Sequence, residues 1–285
     1  MLKSIKQLLV EALKDELTQQ QLELLPSGYQ KIGDIVIVNI NPEIAECKNE
    51  IGKIILKKIP KTRTVCSRTG SIFSEKRLPQ IEVITGDENT ETMHRENGCL
   101  YKLDVSKVMF SKGNLKERHR LQQLIKPNET IVDLFSGIGY FSISIAKFAK
   151  PSKIYAIDIN PDAILYLNEN IHLNKVEGKI ETIFGDCREV VKKLGKIADR
   201  VIMGYLPNTF KYLDSAFAVL KEKGIIHYHD VFKEEDLWGK PTEILKKSAE
   251  ENGYVLEEIL DKIIVKSYAP KVFHVVIDGK FSKNK

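Results

Sequence analysis

The stretch TIVDLFSGIGYFSISIAKFAK, residues 130–150, decides the fold. It opens with the short apolar run TIVDLF, which predicts a buried strand. SGIGYF follows as a glycine turn, and SISIAKFAK predicts a helix. A buried strand that passes through glycines into a helix is typical of the first unit of a parallel α/β sheet.

Strands and helices continue to alternate after this stretch. KIYAIDI, KIETIFGD, DRVIMGY and GIIHYHDVF predict strands, and NPDAILYLNENIHLN predicts a helix with Asn160 as its N-cap and Pro161 at its first position. IIVKSYAPKVFHVVID holds two more strands joined by too few residues for a crossover helix, so we expect an antiparallel hairpin at one edge. The pattern resembles the α/β, seven-stranded Rossmann-like sheet of S-adenosylmethionine (SAM)-dependent methyltransferase domains.

The sequence before this sheet predicts a smaller N-terminal α+β domain. Apolar periodicity indicates one amphipathic helix from Ser4 to Leu25, and strands are expected over residues 34–40, 53–58 and 80–86. We place the domain boundary between residues 104 and 105, which gives domains of 1–104 and 105–285.

Composition excludes several classes of protein. The 285 residues contain no run of about 18 apolar residues, and the first segment mixes charges into its apolar positions, unlike a signal peptide. The four cysteines form no C-x-x-C pair, so neither a disulfide scaffold nor a zinc site is expected. We therefore expect a cytoplasmic protein without a membrane segment or a metal, and a monomer.

The net charge of +5 is unevenly distributed. Residues 57–77 contain seven basic residues and one acid, and residues 102–126 contain seven basic residues and two acids. Clustered lysine and arginine residues bind phosphates without regard to base sequence, although a charge run is as often a plain solvated surface. The clusters make a nucleic acid a candidate partner.

Three features of the predicted sheet indicate a nucleoside site at the carboxyl ends of its strands. Gly137 and Gly139 lie in the turn after the first strand, where the backbone can approach a ligand closely. Asp158 ends the second strand, 21 residues after Gly137, where a carboxylate can accept hydrogen bonds from ribose hydroxyls. Asp186 and the backbone amide of Cys187 follow the third strand, where they can meet an adenine ring.

The chemistry of the turn favours SAM over a dinucleotide. Ser142 stands where the dinucleotide fingerprint has its third glycine, which argues against a pyrophosphate held at the helix start. Asp133 ends an apolar strand and is available to an ammonium group. SAM, an adenosine that carries an amino acid, is therefore the expected cofactor.

At this point the residues resemble a known family. HRENGCLYKLDVSKVMFSKGNLKERHR (94–120), IVDLFSGIGYFSISIA (131–146) and VKSYAPKVFHVVID (265–278) are similar to the tRNA purine-37 modifying enzymes. That family contains the tRNA guanine-N1 methyltransferases and the wybutosine-pathway enzymes that transfer a 3-amino-3-carboxypropyl group. The resemblance covers about residues 25–280.

Two departures from the methyltransferase pattern favour the aminocarboxypropyl branch. Gly113-Asn114 replaces an Arg-Leu pair, and Gly204-Tyr205 in MGYLPNT stands where an asparagine is typical. The resemblance then implies transfer of the 3-amino-3-carboxypropyl group from SAM to the tricyclic 4-demethylwyosine base at position 37, in the anticodon loop of tRNA-Phe. The N-terminal domain would position the tRNA.

The resemblance also suggests roles for single residues. Ser111 and Arg118 would contact the cofactor, with Arg118 pairing with its carboxylate. Glu117 would either assist proton removal or pair with Arg118. Arg77 would lie near the reacting centre or contact a phosphate, and Tyr205 would stack on the base or simply pack.

Two other functions stay open at this stage. The first is N1-methylation of guanosine 37, which uses the same fold, cofactor and tRNA. The second is a non-catalytic tRNA-binding protein with a vestigial pocket. His227 and His229 share one strand face, but no third ligand is evident, so ordinary polar strand positions are favoured over a metal site.

Overall fold

A computed structural model describes residues 3–70, 72 and 74–284, apart from the side chain of Lys112. The chain forms two compact units, which are Met1–Glu96 with Leu100–Lys112, and Asn97–Cys99 with Gly113–Lys285. The boundary predicted from sequence, at residues 104 and 105, falls within the last segment of the first unit.

The N-terminal unit is an α+β structure. Its elements, in chain order, are α1 (Ile5–Leu13), α2 (Gln19–Glu23), β1 (Tyr29–Ile32), β2 (Ile35–Val38), α3 (Lys48–Lys58), β3 (Thr64–Arg68), β4 (Ile81–Gly86), β5 (Glu91–Glu96) and β6 (Cys99–Asp104). β1 to β4 form one sheet in that order, with β2 and β3 parallel, and β5 pairs with β6. α1 and α3 pack together, and α3 covers β3 and β4, so the unit has its own apolar core.

The prediction of a single helix from Ser4 to Leu25 is wrong, because the first helix ends at Leu13. Ser4 caps α1, and Thr18 starts α2 with a second capping box that involves Gln21. Each box satisfies N–H groups of a first turn, so two short helices are stable where one was expected.

The strand expected over residues 53–58 is also wrong, since these residues complete α3. Ile51 and Ile55 are both buried and lie one helical turn apart. Their helical spacing outweighs the β-branched residues that suggested a strand.

The C-terminal unit contains the longer sheet. Its elements are α4 (Leu115–Leu124), β7 (Thr130–Asp133), α5 (Ser142–Phe148), β8 (Lys153–Asp158), α6 (Pro161–Asn174), β9 (Ile180–Phe184), α7 (Cys187–Leu194), β10 (Ala198–Met203), α8 (Leu213–Val219), β11 (Leu220–Lys233), α9 (Gly239–Glu251), β12 (Tyr254–Ala269) and β13 (Val272–Lys283). As predicted, the Asn160 side chain caps α6, and Pro161 begins it.

The order of this sheet, β12-β13-β11-β10-β7-β8-β9, confirms the predicted seven-stranded Rossmann-like fold within the described residues. β7 to β11 are mutually parallel, and β13 runs antiparallel to both β11 and β12. The expected edge hairpin is therefore present. The chain reverses its winding beside β7, and ligands of open α/β sheets bind at such a point.

Helices lie in two series against this sheet. α4 contacts α5, which contacts α6, while α7, α8 and α9 form a second series. The core between the second series and the sheet includes Val201, Phe217, Tyr228 and Leu245. None of the helices in the described ranges has the length and apolar run that a membrane crossing requires.

Candidate active site

The turn between β7 and α5 needs both of its glycines. Gly137 and Gly139 have φ values of +54° and +95°, a region that other residues adopt with strain. A Cβ atom on Gly139 would lie 2.5 Å from Ile143 and 2.8 Å from Leu167. Gly139 therefore leaves room for the side chains of Ile143 on α5 and Leu167 on α6 beside the turn.

Asp158 is joined to this turn through its carboxylate. Oδ2 accepts a hydrogen bond from the Gly137 N–H at 2.7 Å, and Oδ1 accepts one from Asn160 N–H at 2.8 Å. Burial raises the pKa of Asp158, while these backbone donors oppose that effect. The Ile159 N–H is a third backbone donor to Asp158, and since a carboxylate has about four acceptor positions, one is left for a ribose hydroxyl.

Asp133 is fully buried at the end of β7. Its Oδ2 accepts a hydrogen bond from the Ser142 hydroxyl at 2.7 Å, whereas Oδ1 has no hydrogen-bond partner in the described part of the chain. Burial raises the pKa of this carboxyl to about 7, against the effects of Ser142 and the Phe135 N–H. A buried carboxyl with an open oxygen suits a cationic ligand group such as an ammonium.

Asp186 and Cys187 start α7 at the carboxyl end of β9. Asp186 Oδ1 accepts a hydrogen bond from Arg188 N–H at 2.9 Å and so caps the helix, while the Arg188 side chain binds both carboxylate oxygens. These bonds with Arg188 lower the pKa of Asp186. Burial raises the pKa of the Cys187 thiol to about 12, which leaves its backbone amide as the group suited to a ligand.

Glu117 and Arg118 lie on α4 and are both 2% exposed, but Glu117 forms its ion pair with Arg120 and not with Arg118. Both Glu117 oxygens accept hydrogen bonds from Arg120 at 2.8 Å. The predicted alternative in which Glu117 pairs with Arg118 is therefore wrong. Neighbouring helix residues point in different directions, whereas residues three apart share a face. The guanidinium carbon of Arg118 lies 4.9 Å from the centre of the Tyr140 ring, in the glycine turn.

Arg120 continues a buried chain of charges that sequence analysis missed. It donates to Asp278 at 2.6 Å, and Asp278 Oδ1 lies 2.7 Å from His227 Nδ1. Burial opposes ionisation of Asp278, but His227 and Arg120 hold its pKa well below the usual range. The chain fixes Glu117, whose own pKa is raised by burial.

Tyr205 lies in the loop after β10 and packs against aromatic rings. Its ring centre is 5.1 Å from that of Phe135 and 5.6 Å from that of Tyr212. Asp230 holds this loop by accepting hydrogen bonds from the N–H groups of Asn208 and Phe210. This position is compatible with both predicted roles of Tyr205, simple packing and stacking on the base.

Arg77 and Ser111 belong to the N-terminal unit. Arg77 has a φ of +55°, and its Nη2 lies 3.6 Å from Met109 Sδ. Ser111 is half-buried after Phe110. Their expected contacts with cofactor and substrate stay predictions.

The described histidines and acids do not assemble a metal site, since no group of three or more His, Cys, Asp or Glu side chains is arranged to hold an ion. His229 does have a second histidine beside it, His274, which was not singled out from the sequence. The only sequence signal for His274 is its place in the motif at 265–278.

The sheet order and the acidic and glycine-lined carboxyl edge define an α/β methyltransferase fold. The chain belongs to the TRM5/TYW2 family: the TRM5/TYW2 methyltransferase domain matches residues 92–257, and the TYW2 N-terminal domain matches residues 9–90.

Relatives from both branches of the family are similar over most of their length. A tRNA(Phe) (4-demethylwyosine(37)-C(7)) aminocarboxypropyltransferase from Methanocaldococcus jannaschii is 48% identical over 90% of this chain and 98% of its own length. The tRNA (guanine(37)-N(1))-methyltransferase Trm5b of Pyrococcus abyssi is 37% identical over 93% of this chain and 78% of its own. The crystal structure of M. jannaschii TYW2 in complex with AdoMet superposes with a TM-score of 0.72 at 41% identity, covering 90% of this chain and all of that one.

Proposed function

We propose that the protein transfers the 3-amino-3-carboxypropyl group of SAM to the 4-demethylwyosine base at position 37, in the anticodon loop of tRNA-Phe. The observation that carries this proposal is the 48% identity to an aminocarboxypropyltransferase of which 98% is covered. A relative of the methylating branch is less similar and is covered over 78% of its length.

The two departures from the methyltransferase pattern support the same branch. A Cβ atom at Gly113 would lie 2.6 Å from Lys266 Cδ and 2.7 Å from its Nζ, so Lys266 fills the space beside that position. A Cβ atom at Gly204 would lie 2.9 Å from the Phe141 ring. An arginine at 113 would therefore need Lys266 to move, and any side chain at 204 would need the Phe141 ring to move.

The residues of the carboxyl edge suit SAM. Asp133, with its open Oδ1, would hold the ammonium group, and Asp158 would accept a hydrogen bond from a ribose hydroxyl. Asp186 and the Cys187 amide would bind adenine beside the Gly137–Gly139 turn. Arg118 would bind the carboxylate, with Ser111 as a further contact. When bound, SAM supplies a sulfonium whose attached carbons are electrophilic, and positioning decides which one reacts.

Glu117 is our candidate for the group that accepts the proton lost by the base. Its carboxylate is buried, its pKa is raised by burial, and Arg120 fixes its orientation. A general base works best when its pKa is close to the working pH. Arg77 and Tyr205 would contact the base or the adjoining phosphate.

Not every basic residue of the two clusters is available to tRNA. Arg63 is half-buried and pairs with Asp34 and Asp87, and Arg118 and Arg120 are held inside the C-terminal unit. Exposed lysines remain as phosphate contacts: Lys57, Lys58, Lys61, Lys76, Lys107, Lys116 and Lys126. Such contacts would position tRNA without reading its sequence.

A labelling experiment tests the proposed reaction. The protein is incubated with tRNA-Phe that carries either guanosine or 4-demethylwyosine at position 37, and with SAM labelled in the methyl or in the carboxyl group. We expect label in tRNA only from the carboxyl group, and only with 4-demethylwyosine. Methyl label in guanosine-37 tRNA would favour the N1-methyltransferase alternative, which the 37% identity to Trm5b keeps as the second candidate. A failure to bind SAM in calorimetry would favour a non-catalytic tRNA-binding protein.

A further inference from the structure

Three strands of the C-terminal unit project beyond their neighbour at the carboxyl edge of the sheet. β10 ends at Met203, which pairs with Tyr228 of β11, but β11 continues to Lys233. β13 pairs with β11 over this whole extension, and β12 pairs with β13 up to its last residue, Ala269. Residues 229–233 add about 16 Å of strand, since each residue advances a strand by roughly 3.3 Å.

This projection lies beside the candidate active site. β11, β10 and β7 are parallel neighbours, so the carboxyl end of β11 is on the same edge of the sheet as the glycine turn after β7. Two strand spacings, about 10 Å, separate β11 from β7. The Lys271 carbonyl in the hairpin turn accepts a hydrogen bond from Glu234 N–H at 2.9 Å, which ties the turn to the end of β11. The projection is therefore a fixed wall next to the site.

The outer part of this wall, residues 262–271, is basic, and we call it the hairpin tip. It contains three lysines and no acid. Acids follow β11 at residues 234–236, and two of them form ion pairs with Lys233 and Lys240, at 3.6 Å and 3.2 Å. Together, residues 233–240 and the hairpin tip contain five lysines and three acids. This positive balance favours an anionic partner.

Tyr268 stands between two lysines of the hairpin tip and is 49% exposed. It follows Lys266 by two residues and precedes Lys271 by three. Proteins bind single-stranded RNA with this combination, because an aromatic ring stacks on a base while the cations beside it bind phosphates. The hairpin tip therefore suits an RNA strand with unpaired bases.

The edge strand β12 is poorly suited to a protein strand as its partner. Its register against β13 shifts at four places, between Leu256 and Glu258, Ile259 and Asp261, Ile264 and Lys266, and Ser267 and Ala269. Such bulges bend an edge strand, and lysines on the edge also oppose the addition of another strand. RNA is thus favoured over a second copy of this chain.

Lys266 connects the hairpin tip with the candidate active site. It pairs with His274 in the register of the sheet. Burial, followed by repulsion from Lys266, lowers the pKa of His274 to about 3. His274 contacts His229, whose Nε2 lies 3.7 Å from Glu117 Oε1. Lys266 is therefore on the sheet face next to the proposed proton acceptor, and the rest of the hairpin tip continues outward from it.

We propose that the hairpin tip binds the single-stranded RNA next to the target base, an inference that rests on the proposed function because it takes tRNA as the substrate. Tyr268 stacks on a base that adjoins position 37, and Lys266 and Lys271 bind phosphates beside it. These contacts are separate from those of the basic clusters at residues 57–77 and 102–126. They hold the anticodon loop in place while the target base occupies the site.

Variants of Tyr268 test the stacking contact. Y268A should raise the Kd for tRNA-Phe at least about fivefold in filter binding, whereas Y268F keeps the ring and should bind with native affinity. V255A, which changes an exposed apolar residue at the other end of β12, is the control. Melting temperature and calorimetric SAM binding should stay native in all three variants. Native tRNA affinity in Y268A, or an equal loss in Y268F, would overturn the proposal.

RNA that lacks a base locates the stack. tRNA-Phe is prepared without the base on the 5′ side or on the 3′ side of position 37. With one of these two RNAs, Y268A and the native protein should have equal Kd values, because the partner of the ring is already absent. If Y268A instead loses the same affinity for both RNAs as for intact tRNA, Tyr268 does not stack on either base and the proposal is wrong.

The phosphate contact is tested through salt dependence. K271A should reduce the slope of log Kd against log salt concentration by about 0.7, the value for one phosphate of a single strand. K246A, which changes an exposed lysine on α9, should keep the native slope. An unchanged slope in K271A would refute the phosphate contact at the hairpin turn.

Further outcomes separate this inference from the proposed function. Loss of tRNA affinity in Y268A, together with native protein that transfers no carboxyl label, would refute the proposed reaction and leave the hairpin tip as an RNA contact. Transfer of the label by native protein, together with native tRNA affinity in Y268A, would do the reverse. Native protein that sediments as a dimer, with Y268A a monomer, would make a second copy the partner and overturn the proposal.

Discussion

Asp230 Oδ1 accepts a hydrogen bond from the backbone N–H of Asn208 at 2.9 Å, and so joins the end of β11 to the loop after β10. The same carboxylate accepts bonds from Phe210 N–H and from the Tyr228 hydroxyl. Because this loop carries Tyr205, Asp230 is expected to hold part of the candidate active site in place.

Replacing Asp230 should therefore loosen the loop. D230A leaves two loop N–H groups and the Tyr228 hydroxyl without their acceptor, so we expect the free energy of unfolding to fall by about 2–4 kcal/mol. The control Y228F removes one of these bonds and should cost about 1 kcal/mol. Urea unfolding followed by circular dichroism measures both, and equal losses in the two variants would contradict the assignment.

Asp133 should make the ligand-free protein less stable as pH rises. Burial raises its pKa from 3.8 to about 7 in the folded state, so folding binds a proton that the unfolded chain releases. The resulting stability is present below about pH 4 and is lost between about pH 4 and 7. D133N should remove this pH dependence. At about pH 8 its free energy of unfolding should exceed that of the native protein by up to about 4 kcal/mol.

The same substitution should weaken cofactor binding. D133N lacks the charge proposed to meet the ammonium group, so we expect at least about a tenfold higher Kd for SAM in calorimetry. E243Q, which changes an exposed acid, is the control for both measurements. An unchanged Kd in D133N would remove Asp133 from the site.

Arg118 is predicted to serve the cofactor rather than tRNA. R118K keeps the charge but loses the planar stacking over Tyr140 and the forked donors, so the Kd for SAM should rise about tenfold or more. Filter binding at low salt should show unchanged tRNA affinity. K116A, at an exposed position on the same helix, should leave the SAM affinity native. A parallel loss of SAM and tRNA affinity in R118K would contradict this role.

Exposed lysines of α3 should contribute to tRNA binding through charge. The double variant K57A/K58A should reduce the slope of log Kd against log salt concentration by about 0.7–0.9 for each phosphate that these lysines neutralise in the native complex. K246A/K247A, which changes two exposed lysines outside the basic clusters, should keep the native slope. An equal change of slope in both double variants would contradict a specific contribution of Lys57 and Lys58 to tRNA binding.

Sequence reasoning predicted those parts of the fold that local patterns specify. The glycine turn, the capped start of α6 at Asn160 and the short link between β12 and β13 each have a local signal. The N-terminal unit was less predictable, because apolar residues such as Ile51 and Ile55 suit a strand in composition and a helix in spacing.

Contacts of the site could be predicted only in part. Glu117 and Arg118 are neighbours in the sequence, which suggested an ion pair between them. In the structure Glu117 binds Arg120, and Arg120 binds Asp278, which is 158 residues away in the chain. No local pattern specifies a partner at that distance. His274 was missed because it meets His229 only when β11 and β13 pair, and Asp230 was missed because its partners Asn208 and Phe210 lie in the loop after β10.

Strand β13 has to be present in any shortened version of this protein. The matched family domain ends at residue 257, only four residues into β12, whereas Asp278 and His274 lie on the strand that follows. A recombinant fragment trimmed to that match would keep the glycine turn, strip β11 of its neighbour β13 and remove Asp278, one of the two buried carboxylates that pair with Arg120. Such a fragment should aggregate on expression, so a minimal catalytic domain has to include the final hairpin.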